Sequence, residues 1–220
     1  MIASQLIVDL LPPIKPSESC QKAMLWMSEF KVAHLPVVSV NKYLGIITEE
    51  DLLDNNSQEL SIAESKIHLS DIFVYEYQHI FEVMRIMSEN NLTVIPILDV
   101  KENYIGATTL SHLMTLTANT TSIKEPGGVI VLSVNSKDYS LAQIAQIVES
   151  NNARILSSYV TSSDDTTEIE VTIKINKIEL GAILQTFNRY DYTVINTFQR
   201  KDDFDDLQNR YDHLMDMLDL

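Results

Sequence analysis

An internal repeat limits what this chain can become. Setting Pro36 over Pro96, an offset of sixty residues, brings Met24, Met27, Ser28 and Glu29 onto Met84, Met87, Ser88 and Glu89. One residue enters the second copy after the proline. Tyr43, Gly45, Thr48 and Leu52 then fall on Tyr104, Gly106, Thr109 and Leu113. Matches that keep their order this way restrict the first half to folds in which one supersecondary unit packs on a copy of itself.

Each copy has the same internal pattern. Ala23, Met24, Met27 and Phe30 recur at helical spacing, as do Val83, Met84 and Met87. A short apolar strand follows, Leu35-Pro36-Val37-Val38 or Ile95-Pro96-Ile97-Leu98. After a turn comes a second strand, Tyr43-Leu44-Gly45-Ile46-Ile47 or Tyr104-Ile105-Gly106-Ala107-Thr108, and a further helix begins near Glu49 and near Leu110. The unit is helix–strand–strand–helix.

This unit resembles the cystathionine-β-synthase (CBS) domain, which occurs in tandem pairs. Val8-Asp9-Leu10-Leu11, His34-Leu35-Pro36-Val37-Val38 and Gly45-Ile46-Ile47-Thr48-Glu49-Glu50-Asp51 carry the resemblance, which extends over roughly residues 6–118. It implies one repeat over 1–62 and another over 63–120. It also implies a homodimer, since CBS pairs commonly associate.

The second half shows no repeat. Thr115 to Pro126 is rich in threonine and leads into Pro126-Gly127-Gly128, which reads as a linker over 121–128. Val129 to Val134 is a buried-strand pattern, and Ser140 with Gln143 three later predicts a capping box. Strands over 154–161 and 168–175, a helix over 177–188 and a last strand over 192–198 complete a βαββαβ order. That order suits a ferredoxin-like sandwich. With the phrase Ala153-Arg154-Ile155-Leu156-Ser157 it is similar to the ACT domain, over 129–200. Residues 201–220 place Phe204, Leu207, Tyr211, Leu214 and Leu218 on one face of an acidic amphipathic helix, a candidate for docking a protein partner. The predicted fold class is α/β (α+β): a tandem CBS pair followed by an ACT-type domain. This order is similar to that of acetoin-utilisation accessory proteins.

Charge narrows the partners. Sixteen Lys and Arg stand against 31 Asp and Glu, a formal net charge of −15. Phosphate backbones and anionic lipid would repel such a chain, so nucleic acid and membrane surfaces are not expected partners. No apolar run is long enough to cross a bilayer, and the start lacks a basic n-region. The single cysteine, Cys20, has no internal disulfide partner, which fits a reducing cytoplasm. The five histidines lack ligand spacing, and no nucleotide-loop, hydrolase or metalloprotease motif is present. Neither a metal, a cofactor nor an active site is expected.

On spacing alone, Thr48-Glu49-Glu50-Asp51 is a helix cap. The resemblance adds a role, because in CBS pairs this stretch lines a cleft between the repeats. It implies a first nucleotide site of Thr48, Glu50 and Asp51 with Val74, Thr93 and Val94. There Asp51 would accept hydrogen bonds from both ribose hydroxyls, as an acceptor-only group can. A second, weaker cleft would use Thr109 and His112 with Ile14, Ala33 and His34. His112 stands where the ribose aspartate belongs. In the ACT-like domain, Tyr139 sits where amino-acid-binding members carry a glycine.

The expected function is a non-catalytic regulatory sensor for an adenosine-containing ligand. Glu49, Glu50 and Asp51 crowd one helix start, so AMP or S-adenosylmethionine is favoured over ATP. The alternatives are a ligand-free oligomerising scaffold and an amino-acid sensor acting through the ACT-like domain.

Overall fold

The computed structural model describes residues 1–8, 11–54, 59–162 and 167–199. The chain divides into two compact units, residues 1–117 and 118–220.

The first unit carries the repeat. Its first copy holds α1 (Cys20–Phe30), β1 (His34–Ser39), β2 (Lys42–Thr48) and α2 (Glu49–Asp54); the short α3 (Ile62–Ser65) follows, and β3 (Val74–Tyr75), paired with β4, opens the second copy. The second copy continues with α4 (Ile80–Glu89), β4 (Val94–Leu98), β5 (Tyr104–Thr109) and α5 (Leu110–Thr120). The Ser19 hydroxyl accepts from the Lys22 N–H and starts α1, and Lys31 closes it in the left-handed conformation. The His79 ring accepts from the Phe81 N–H and starts α4. The two β-hairpins share even their irregularity, a register shift between Val37 and Val38 and another between Ile97 and Leu98.

Sequence order and spatial order part company at the edges of the hairpins. The Ile46 N–H donates to the Ser70 carbonyl at 2.8 Å and receives the Ser70 N–H in return at 3.0 Å. The equivalent edge of β5 is taken by the N-terminal segment, where the Val8 N–H donates to the Ala107 carbonyl at 2.9 Å. Each β2-type edge therefore pairs with the stretch that leads into the other repeat. An unpaired edge would leave backbone groups unsatisfied, and this exchange removes it. The segment before α1 therefore reaches across to the second copy. Ala3 and Leu6 share a core with Val74, Ile80, Val83 and Met87 of the second copy. A second core joins Leu35, Ile47 and Leu52 to Val94 and Ala107.

Among the described residues of the first unit, one core position breaks the apolar rule. Thr108 is fully buried and, among the described residues, its hydroxyl has no hydrogen-bond partner. Its counterpart in the first copy is Ile47. Removing an unsatisfied hydroxyl without changing shape relieves its desolvation cost, so Thr108→Val should stabilise the first unit by about 1 kcal/mol. A urea midpoint that falls instead would mean that the hydroxyl is paired.

The second unit is a four-stranded antiparallel sheet in the order β7 (Ile155–Ser162), β8 (Glu168–Ile175), β6 (Gly128–Asn135) and β9 (Thr193–Phe198). Helices α6 (Leu141–Ser150) and α7 (Gly181–Arg189) complete the βαββαβ connectivity, which is ferredoxin-like. Ile130, Leu132 and Val134 alternate inward from β6 and meet Ile144, Val148, Ile183 and Phe187.

Two local expectations change here. Ser140 caps α6 by accepting the Gln143 N–H, but the Gln143 side chain accepts from the Tyr192 hydroxyl at 2.9 Å instead of closing a box. Helix α7 begins at Gly181 and not near 177. The Lys177 carbonyl is still occupied by the Gly128 N–H, which holds the chain to the sheet. The expected linker shortens by one residue, since Gly128 already belongs to β6. The expected C-terminal helix, 201–220, lies outside the described residues, as does Asp9.

Candidate functional site

The ends of β2 and β5 place the two threonines that the repeat matched. Thr48 Oγ1 accepts the Asp51 N–H at 3.0 Å and donates to Asp51 Oδ2 at 2.5 Å. Thr109 Oγ1 accepts the His112 N–H at 3.2 Å. Each helix start is tied to the loop before its own first strand: the Glu49 N–H donates to the Ala33 carbonyl and the Leu110 N–H to the Thr93 carbonyl, both at 2.9 Å. Matched residues thus make matched bonds.

The two copies meet where those loops touch. The Ala33 N–H donates to Thr93 Oγ1 at 2.9 Å, and the Thr93 N–H donates to His34 Nδ1 at 3.3 Å. Thr93 Oγ1 also lies 3.0 Å from His34 Nδ1. Residues expected in different clefts, Thr93 in the first and Ala33 and His34 in the second, are therefore bonded directly.

His34 is cross-strand neighbour to Thr48 and Val94 to Thr109, so each pair shares a sheet face. Burial pushes the His34 imidazole below the usual histidine range, and the Asp51 carboxylate partly offsets this. The field of Asp51 therefore reaches His34, which ties that histidine to the first cleft as well as the second. The sequence pattern missed this link, because register between β1 and β2 is not written in either strand alone.

Ile14, Val74 and Val94 do not offer side chains to a cleft. Ile14 and Val74 are fully buried and Val94 is 1% exposed, each packed in a core cluster. Only backbone atoms at those positions remain for a ligand, and the Ile14 N–H and carbonyl are already bonded to Pro36 and Val38. Glu50 is exposed at the start of α2, beside Glu49 and the partly buried Asp51.

On the second side, Thr109 and His112 line a cavity of about 340 Å³ with Val8, Leu11, Phe30, Ser111 and Thr115. Val8 and Leu11 come from the stretch that carried the family resemblance. The expected neighbours Ile14, Ala33 and His34 are not among its lining residues. In the second unit, Tyr139 is partly buried and packs against the core.

Duplicated helix–strand–strand–helix units, bonded to each other through the loops before their proline strands, define a tandem α/β repeat module. The particular family follows from comparison: residues 9–57 and 65–119 each match the CBS domain model, and together they are a tandem pair of CBS domains.

Several solved structures are similar to part of this chain at low identity. A CBS domain pair/ACT domain protein from Thermotoga maritima is 21% identical, with a TM-score of 0.48 over 54% of this chain and 98% of its own. A candidate acetoin utilization protein, AcuB, from Vibrio cholerae is 20% identical, with a TM-score of 0.49 over 56% of this chain and 95% of its own. CBSX2, solved in complex with AMP, is 20% identical, with a TM-score of 0.48 over 56% of this chain and 98% of its own.

Among the described residues no helix is long and apolar enough to cross a membrane.

Proposed function

We propose that this chain is a non-catalytic regulatory protein that binds an adenosine-containing ligand between its CBS repeats. The first cleft uses Thr48, Glu50 and Asp51 against Thr93, with Val74 and Val94 contributing backbone. The observation that carries this reading is the Thr48–Asp51 pair, fixed at the start of α2 and within electrostatic reach of the loop contact between the repeats. A carboxylate there can accept both ribose hydroxyls. Ligand binding favours one arrangement of the repeats, which is how such a module signals. The same reading takes the chain as a cytoplasmic homodimer whose ACT-like second unit, or the segment after it, meets a protein partner.

Charge selects among adenosine ligands. Three acids occupy the first turn of α2, no basic residue occupies its last turn, and the chain carries −15. Each added phosphate meets that field, so AMP and S-adenosylmethionine bind more tightly than ATP. In magnesium-free calorimetric titrations ATP should be weaker than AMP by about tenfold, a difference of the size expected for two extra like charges near a surface. ATP binding more tightly would refute this preference. Asp51→Ala removes the ribose acceptor and should weaken AMP by at least about tenfold, since hydrogen bonds to charged groups contribute ~1.5–3 kcal/mol. Undiminished AMP affinity would show that Asp51 is not in the site.

A second reading, a ligand-free scaffold, is favoured by one feature. Met84, Leu110 and Met114 are exposed around a cavity of about 410 Å³ between α4 and α5, an apolar surface suited to contact with protein. Failure of any adenosine compound to bind would transfer the assignment to it.

A further inference from the structure

Thr93 turns both its N–H and its hydroxyl to the other repeat. Its N–H donates to His34 Nδ1, so that nitrogen must be the unprotonated one. The Thr93 hydroxyl then donates to the same nitrogen, while its oxygen accepts from the Ala33 N–H. The neutral imidazole therefore carries its proton on Nε2.

A protonated ring cannot make this arrangement. The hydroxyl can rotate and accept from a new Nδ1–H, but the Thr93 N–H cannot, and two donors then face each other. Among the groups around the ring, Asp51 on α2 is the ionisable one whose field reaches it. Glu49 and Glu50 on the same helix are exposed, and Thr48 on β2 and Thr93 are neutral. Along β1 itself His34 is the only ionisable residue.

We propose that His34 and Thr93 form a clamp holding the two repeats in register at the first cleft, and that protonation of His34 releases it and loosens ligand binding below neutral pH. The ligand part rests on the function proposed above, whereas the clamp does not. Burial of His34 adds a sign. Its affinity for protons is lower folded than unfolded, so the clamp's stability is complete above the ordinary value of 6.5 and is lost as pH falls through and below it.

The test uses the full chain and adenosine, whose charge does not change between pH 7.5 and 5.5. His34→Asn keeps an acceptor oxygen near the Nδ1 position but cannot titrate. In the wild type, hydrogen-exchange protection at the Thr93 amide, relative to other β-strand amides of the first unit, should drop about tenfold between those pH values, the loss of one charge-opposed hydrogen bond. Adenosine affinity should fall by a similar factor. His34→Asn should hold both constant within about twofold, and Thr93→Val should show weak inter-repeat protection at the Ala33 amide at either pH.

Equal Thr93 protection at both pH values, or a parallel fall in His34→Asn, overturns the clamp. So does a wild-type imidazole spectrum at pH 7.5 showing the Nδ1–H tautomer, a reading that needs no variant to fold. If Thr93 behaves as expected while adenosine binds at neither pH, the clamp stands and the ligand assignment falls.

Discussion

Gly45→Ala should destabilise the first unit by about 3 kcal/mol, the sum of a strained backbone and a forced contact, each in the ~1–3 kcal/mol range. Gly45 has φ +139°, a conformation that L residues rarely adopt. A Cβ built there would lie 2.6 Å from Leu69 Cβ and 3.1 Å from the Ser70 carbonyl oxygen. Those atoms belong to the segment paired with Ile46, so they cannot retreat without breaking both edge hydrogen bonds. The matched glycine is the control. A Cβ at Gly106 would meet Ile7 Cγ2 at 2.5 Å, and its three nearest neighbours all belong to the Ile7 side chain rather than to paired backbone. Gly106→Ala should cost roughly half as much. Urea midpoints of the two variants measure the difference, and equal midpoints would show that the approach of Leu69 is not what requires the glycine at 45.

The repeat made this close approach partly legible. Matching Gly45 to Gly106 marks a position where side chains are excluded, but not what excludes them. The answer is a strand-like segment from far along the chain, and edge pairing between segments of unlike sequence leaves no periodic trace. Element identity was easier. Helix starts at Glu49 and Leu110 follow from a threonine before an apolar period, because the cap satisfies local N–H groups whatever the tertiary fold. The start of α7 was harder, because the Lys177 carbonyl answers a bond from Gly128, some fifty residues earlier.

The site divides the same way. Thr48 and Asp51 sit three residues apart, and their pairing is local chemistry that sequence can state. That Thr93 bonds to Ala33 and His34 depends on two loops sixty residues apart meeting at their tips. Ile14 and Val74 were expected beside the ligand because the family resemblance implied them there. Their full burial shows why the residue type itself reports the core and not the cleft.

The second unit rests most heavily on Phe187, and its removal should have the largest effect on stability in the molecule. Phe187 is fully buried on α7 and meets Tyr192 edge-on, with ring centroids 5.6 Å apart. Truncation to alanine leaves a cavity at a position flanked by Ile144, Val148 and Ile183. Such truncations cost about 3–5 kcal/mol, and the lost ring pair adds ~1 kcal/mol. A unit of this size holds only ~5–10 kcal/mol in total, so about half of its stability should disappear.

Among the described residues, the core containing Phe187 is lined by residues of the second unit. Trp26, the single tryptophan, packs against a core of the first unit. Its fluorescence therefore reports the first unit alone, while circular dichroism reports both. In Phe187→Ala a portion of the dichroism transition should move to lower urea by about 2 M, given slopes near 2 kcal/mol/M, while the Trp26 transition stays in place. If the Trp26 transition moves by the same amount, the two units unfold as one cooperative body and their stabilities are not separable.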